Sequence, residues 1–296
     1  MKKVKYYKKD IEALRNTTRH ILTNKYFNLF MDSLKWNGLE DEQEDYIMKK
    51  FWSDGTVSAF NIKGIDELGF APYAVSSYTM YDTPSTVNLI NERNVPFIPN
   101  GSLTVNQDVV LGWIQRNHKS IYTMVSYYVE RLVEVEMVIN TNLQVNKLPL
   151  LIGVTPSDKE NAEHLVNKIL NDEVAIFANL DELNLVKTLS NGSQYILDKL
   201  YAFKNNIESE LLTYLGIDNS QIDVDKLAVD QINANNEMIN SNAEGYLNEL
   251  NKFCKRISQI LNKTISVELT HNRVMSEHAN MDHENEISKE ETGGTL

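Results

Sequence analysis

Apolar residues recur in steps of three and four over two long stretches of the chain. Ile121, Val125, Tyr128, Leu132, Val135, Ile139 and Leu143 form the first series, and Ile196, Leu200, Phe203, Ile207, Leu211 and Leu215 the second. That spacing aligns side chains on one helix face and predicts helices over residues 119–145 and 192–216. At about 1.5 Å per residue they would be roughly 36–40 Å long, which is long for struts inside a small domain. Part of their length is therefore expected to be covered from outside the monomer. Between them, residues 148–154 form an almost unbroken apolar run, 156–170 read as a helix opened by Thr155 and Pro156, and 174–178 as a buried-type strand. The bracketed segment is thus a compact strand–helix–strand insert.

Elsewhere the pattern is mixed. Residues 10–36 read as an amphipathic helix carrying Leu14, Ile21, Leu22, Phe27, Phe30, Met31 and Leu34, with Asn37-Gly38 as its C-cap. A short helix holds Tyr46, Ile47, Phe51 and Trp52 and stops at Gly55. β-Branched and aromatic runs then predict strands over 56–62, 73–81, 86–90 and 109–114, a small α+β module with an exposed turn at Pro96, Pro99 and Asn100-Gly101. Asn191-Gly192-Ser193 introduces the second long helix, which ends at Gly216. Residues 217–236 are rich in Asp, Asn and Gln and predict an exposed, mobile loop. A helix over 237–262, a strand over 264–270 and a disordered acidic tail beyond Ser276 complete the reading.

A length of 296 residues allows one or two domains, and 42% hydrophobic with 24% charged residues excludes wholesale disorder. No apolar run approaches the roughly 20 residues of a membrane span, and no apolar signal core follows the basic start, so a cytosolic, non-membrane chain is expected. The single cysteine, Cys254, falls among Leu250, Phe253 and Ile257 at helical spacing and reads as a core residue. A net charge of −12 argues against a protein that coats nucleic acid. The charge is uneven, however: Lys2, Lys3, Lys5, Lys8, Lys9, Arg15, Arg19 and Lys25 crowd the start against only Asp10 and Glu12. Such an arm either binds polyphosphate or acidic protein surfaces or is a solubilising, frayed terminus.

Candidate chemistry is sparse. No phosphate-binding glycine loop, dinucleotide fingerprint, nucleophile elbow, His-Glu-x-x-His or paired Cys-x-x-Cys occurs, so neither a catalytic centre nor a cofactor is expected. The cluster His271, Glu277, His278, Asp282, His283 and Glu284 lies mostly in the predicted tail, which gives metal ligands no rigid frame. His20, His118 and His164 are isolated and read as surface or capping residues. Glu130, Glu134 and Glu136 lie beside the first helical seam, either solvated or against a neighbouring chain. Lys199 and Lys204, among Asp198, Glu208 and Glu210, read as a salt-bridged helix face, and Lys226, among Asp223, Asp225 and Asp230, as a loop lysine.

The order of several segments carries a resemblance. These are Lys147-Leu148-Pro149 with Leu150-Leu151-Ile152, Val174-Ala175-Ile176-Phe177-Ala178, Leu197-Asp198-Lys199-Leu200 and Tyr214-Leu215-Gly216-Ile217. Trp36-Asn37-Gly38-Leu39 and Ala59-Phe60 add weaker echoes. Over nearly the whole chain this order resembles the upper collar, head–tail connector or portal proteins of small short-tailed phages with protein-primed genomes. The resemblance implies an α+β, ring-forming subunit with long stem helices, a small α/β clip insert and a mixed α+β wing, twelve copies surrounding double-stranded DNA at one capsid vertex. It implies an N-terminal arm and wing over 1–118, stem helices over 119–145 and 192–216, and a clip over 146–191. A channel loop over 217–236, a wing continuation over 237–275 and a tail over 276–296 follow.

The implied partners are the major capsid protein, the packaging ATPase, the lower collar or tail protein and, in some members, a small packaging RNA held by the basic arm, here Lys2, Lys3, Lys5, Lys8 and Lys9. The implied setting is the virion, with assembly in the host cytoplasm. The implied DNA-facing lysines are Lys199, Lys204 and Lys226, and the implied loop includes Asp223, Asp225, Asp230, Asn233, Asn235 and Asn236. This loop has one lysine where a better-known relative has an adjacent basic pair, and residues 94–108 are longer than the matching part of that relative. The residues alone also admit a helical scaffold or adaptor without a channel, or an enzyme using wing carboxylates.

Overall fold

The computed structural model describes residues 4–65, 67–91, 95–147, 150–153, 187–190, 196–219 and 229–270. In chain order these form α1 (Val4–Met31), β1 (Leu34–Asn37), α2 (Asp41–Ser53), β2 (Thr56–Asn61), β3 (Leu68–Ala71), β4 (Tyr73–Tyr78), β5 (Pro84–Leu89) and β6 (Ser102–Thr104). They continue with β7 (Val110–Trp113), α3 (Ile121–Lys147), β8 (Leu150–Gly153), β9 (Lys187–Ser190), α4 (Leu197–Leu215), α5 (Val229–Leu261) and β10 (Ser266–Leu269). The fold is α+β. It divides into two compact units, Met1–Arg19 with Glu130–Glu208 and His20–Val129 with Ser209–Leu296, and the division falls inside α1, α3 and α4.

The second unit contains most of the strands. β1 pairs antiparallel with β10, setting Leu34 opposite Leu269 and Trp36 opposite Val267. Antiparallel sheets in the orders β3-β2-β7 and β4-β5-β6 accompany it. α2 buries Ile47, Met48, Phe51 and Trp52, and the last two turns of α1 supply Tyr26 and Phe30. α5 buries Ile239, Ala243, Tyr246, Leu250, Phe253, Ile257 and Leu261, whose steps of three and four trace one continuous stripe. These faces meet through aromatic contacts: Trp36 stacks on Phe51, Phe51 meets Phe253 edge-on, and Phe27 meets Trp52 edge-on at 5.3 Å. Two glycines permit close approaches here. Gly55 ends α2 at φ +75°, where a Cβ would meet the Lys119 backbone, and a Cβ on Gly112 would lie 2.9 Å from the Phe253 ring.

Several expectations change. The first helix ends at Met31 rather than at residue 36, because residues 34–37 alternate buried and exposed, the period of a strand, and Gly38 at φ +86° turns the chain out of that strand. β3 and β6 are unanticipated; both are short, and Gly69 masks the β3 pattern. Part of the expected loop is helix. α5 starts at Val229, so Asp230, Asn233, Asn235 and Asn236 are α5 residues, although their polar character hides the helical period.

In the first unit β8 pairs antiparallel with β9, Leu150 opposite Ser190 and Gly153 opposite Lys187. β9 was not anticipated, and the helix expected over 156–170 and the strand over 174–178 lie outside the described residues. So do the expected tail and its His/acid cluster. Among the described residues no helix is long and apolar enough to cross a membrane.

Candidate functional site

Charge in the first unit is organised by helix pairing. Arg15 on α1 donates to Glu134 on α3 through both terminal nitrogens, at 3.0 and 3.1 Å. One turn on, Arg19 engages Glu130 through Nε and Nη2, the latter at 2.9 Å. Two-pronged guanidinium–carboxylate pairs are geometrically specific, and Arg19's hydrogen bonds hold the Glu130 carboxyl below the usual glutamate range. The two pairs also fix an antiparallel register: each step toward the start of α1 is a step toward the end of α3. Beyond Glu136, α3 has no further Asp or Glu up to Lys147, whereas α1 begins with Lys5, Lys8 and Lys9. Lys5, Lys8 and Lys9 thus lie on a helix rather than on a frayed arm, while Lys2 and Lys3 lie outside the described residues.

α4 explains the different situations of its two lysines. Its buried or half-buried stripe is Leu197, Leu200, Lys204, Ile207, Leu211 and Leu215, so Lys204 occupies a seam position that spacing had assigned to Phe203. Phe203 is instead exposed. Burying an ammonium among apolar groups requires a counter-charge, and Glu136 of α3 supplies it at 2.6 Å, with the side chains 25% and 26% exposed. Lys199 points away from the stripe and is exposed. Glu130, Glu134 and Glu136 thus all have partners in this chain.

In the second unit the end of α4 is tied to the start of α5. Helix C-termini leave carbonyls without helical partners, and here side chains supply the donors. Asn242 Nδ2 donates to Thr213 O at 2.8 Å, Tyr246 Oη to Tyr214 O at 2.6 Å and Asn219 Nδ2 to Ser209 O at 3.0 Å. Asn235 Nδ2 donates to Asn219 Oδ1 at 2.6 Å and its Oδ1 accepts from Thr213 Oγ1 at 3.1 Å. Asn219 is buried, and burial raises the Tyr246 phenol well above its ordinary pKa. Asn235 is thus a bracing residue of the helix junction. Asp223, Asp225 and Lys226 lie outside the described residues.

Sequence reasoning missed one cluster, since its members lie far apart along the chain. Trp113 on β7 stacks against His118 at 4.3 Å between ring centroids, takes the Arg256 guanidinium over its ring at 5.0 Å, and donates Nε1–H to Tyr73 Oη at 3.2 Å. Desolvation, with Arg256, lowers the His118 pKa while Glu249 opposes the shift. Cys254 is buried and its thiol is pushed up to about 12, which leaves it inert as a nucleophile.

The family model of the Phage Connector (GP10) matches residues 3–274 of the chain. Among solved structures the chain is similar to one described as the portal and tail of native bacteriophage P68. That match covers 97% of this chain and 98% of the other at 15% identity, with a TM-score of 0.49.

Proposed function

The chain belongs to the Phage Connector (GP10) family, whose members are structural parts of the virion, and on that premise we propose that it is a portal subunit: copies assemble into a ring that forms a DNA channel at one capsid vertex. The observation that supports the reading most is the set of unpartnered apolar positions on the long helices of the first unit. Ile11 and Leu14 on α1, Val138 and Leu143 on α3, and Tyr201 and Phe203 on α4 are all exposed. A solvated monomer gains nothing from such a set, whereas a ring of side-by-side helices covers it.

On this reading the subunit performs no chemistry, and ATP hydrolysis belongs to a separate packaging motor docked at the 146–191 insert, later replaced by the lower collar and tail. The broad part is held by the capsid shell. Genome packaging, retention and ejection all pass through one channel whose excess negative charge prevents static adhesion of DNA, while Lys199 and Lys226 centre it through contacts that salt screens. Twelve copies follow from the family resemblance. The basic start of α1, with Lys5, Lys8 and Lys9, is where a polyanion, including a packaging RNA, would bind. Electron microscopy of the purified protein tests the proposal: rings with a central hole are expected. Discrete particles without a hole would overturn it in favour of a scaffold or adaptor.

A further inference from the structure

Two Asn-Gly pairs among the described residues, Asn37-Gly38 and Asn100-Gly101, have the same side chains in different backbone settings. A glycine after asparagine leaves its backbone nitrogen open to the asparagine side chain, because no Cβ stands in the way. Whether the two groups can meet then depends on rotation about the asparagine Cα–C bond, out of the extended conformation. Asn37 is the last residue of β1, opposite Ser266 of β10. Gly38 follows at φ +86°, wedged so closely that a Cβ on it would lie 2.7 Å from Thr264 O. Rotation at Asn37 therefore breaks the end of the β1–β10 ladder and is opposed by the backbone hydrogen bonds it would forfeit.

Asn100 meets no such opposition. It stands with Gly101 in the exposed segment that leads into β6, and both residues are exposed. Among the described residues the Asn100 side chain makes no hydrogen bond, and the Gly101 N–H joins no turn or loop hydrogen bond. Gly101 adopts φ +96°, and a Cβ built there would meet nothing within 4 Å. Rotation at Asn100 thus costs no contact, and water reaches both partners freely.

We propose that Asn100 is a site of spontaneous covalent modification in the folded chain, and that Asn37 is protected from the same reaction by its strand. The Gly101 amide nitrogen gives up its proton and bonds to Asn100 Cγ, the Cγ–Nδ2 bond breaks, and ammonia leaves carrying that proton. Water then opens the five-membered imide at either carbonyl, giving aspartate or its β-linked isomer. Either product adds a carboxylate to the turn. The β-linked isomer also adds one carbon to the main chain just before β6, an edge strand held by β5 through Thr86–Thr104, Val87–Leu103 and Asn88–Ser102. The reaction needs water alone, and it proceeds whether or not copies assemble into rings.

Incubating the purified full chain at mildly alkaline pH, then mapping its peptides by mass spectrometry and labelling them with an isoaspartyl methyltransferase, tests the proposal. The Asn100 peptide is expected to gain one mass unit with time and to accept methyl groups. The Asn37 peptide should gain it about tenfold or more slowly, at a rate set by local opening of the β1–β10 pair. In urea, where both backbones are free, the two peptides are expected to change at similar rates. Asn100→Gln, at an exposed position without hydrogen bonds among the described residues, should fold as the parent chain does and lose the mass gain. The Asn191-Gly192 pair lies outside the described residues and maps to a separate peptide. A folded chain in which Asn100 stays intact, or changes no faster than Asn37, would overturn the proposal. So would a mass gain that persists in Asn100→Gln, or one without methyl acceptance, which marks direct hydrolysis rather than the imide.

Discussion

Lys199 and Lys204 share a helix and differ in what surrounds them. Lys204 is half-buried against Glu136, so its truncation leaves a carboxylate without its counter-charge in a partly apolar seam. Lys204→Ala is expected to lower stability by about 1–2 kcal/mol, read from urea unfolding, below the range for fully buried pairs because a quarter of each side chain is solvated. Lys199→Ala is expected to leave the unfolding midpoint unchanged and to weaken DNA retention in filled particles, most visibly at low salt. Equal unfolding shifts for the two variants would contradict this division. The residue types were legible in the sequence, but the division between them was not. A seam can pass through Phe203 or Lys204 with similar spacing, and only the position of Glu136 on another helix decides between them.

At the scale of elements, the α1–α3 ladder gives the clearest acid response. Arg19 depresses the Glu130 pKa, so the folded state holds this carboxylate charged at acidities where the unfolded chain would protonate it. Its contribution is therefore present above the ordinary glutamate pKa and is lost as pH falls through the lower folded value. Both side chains are largely solvated, so the contribution is small, roughly 0.2–1 kcal/mol. Glu130→Gln should cost about that much at pH 7 and progressively less as the parent carboxyl is protonated, so urea titrations of the two chains stepped downward from pH 7 should converge. The long helices were readable because their apolar residues keep a regular period. The start of α5 was not, because Asn235 stabilises it through hydrogen bonds to Asn219 and Thr213, contacts that leave no hydrophobic signature. β1 was hidden for a related reason: Leu34 and Trp36 fit either a helix end or a short strand until the partner strand is known.

For the whole molecule, the pairing of β1 with β10 joins the early chain to its last described strand. Removing residues 262–296 takes away the strand opposite Leu34 and Trp36 and should abolish cooperative thermal unfolding, checked by calorimetry. A sharp transition in the truncated chain would show that the pair is dispensable. The α+β class and the order of segments followed from pattern, whereas this closure did not, because strand pairing across nearly the full length has no local cue. The same closure makes synthesis its own checkpoint. A ribosome must deliver residues 266–269 before Trp36 finds its partner strand, so a chain terminated ahead of them lacks this pairing and is expected to be cleared by proteolysis. Where one faulty copy would spoil an assembly of many, the fold favours chains translated through β10.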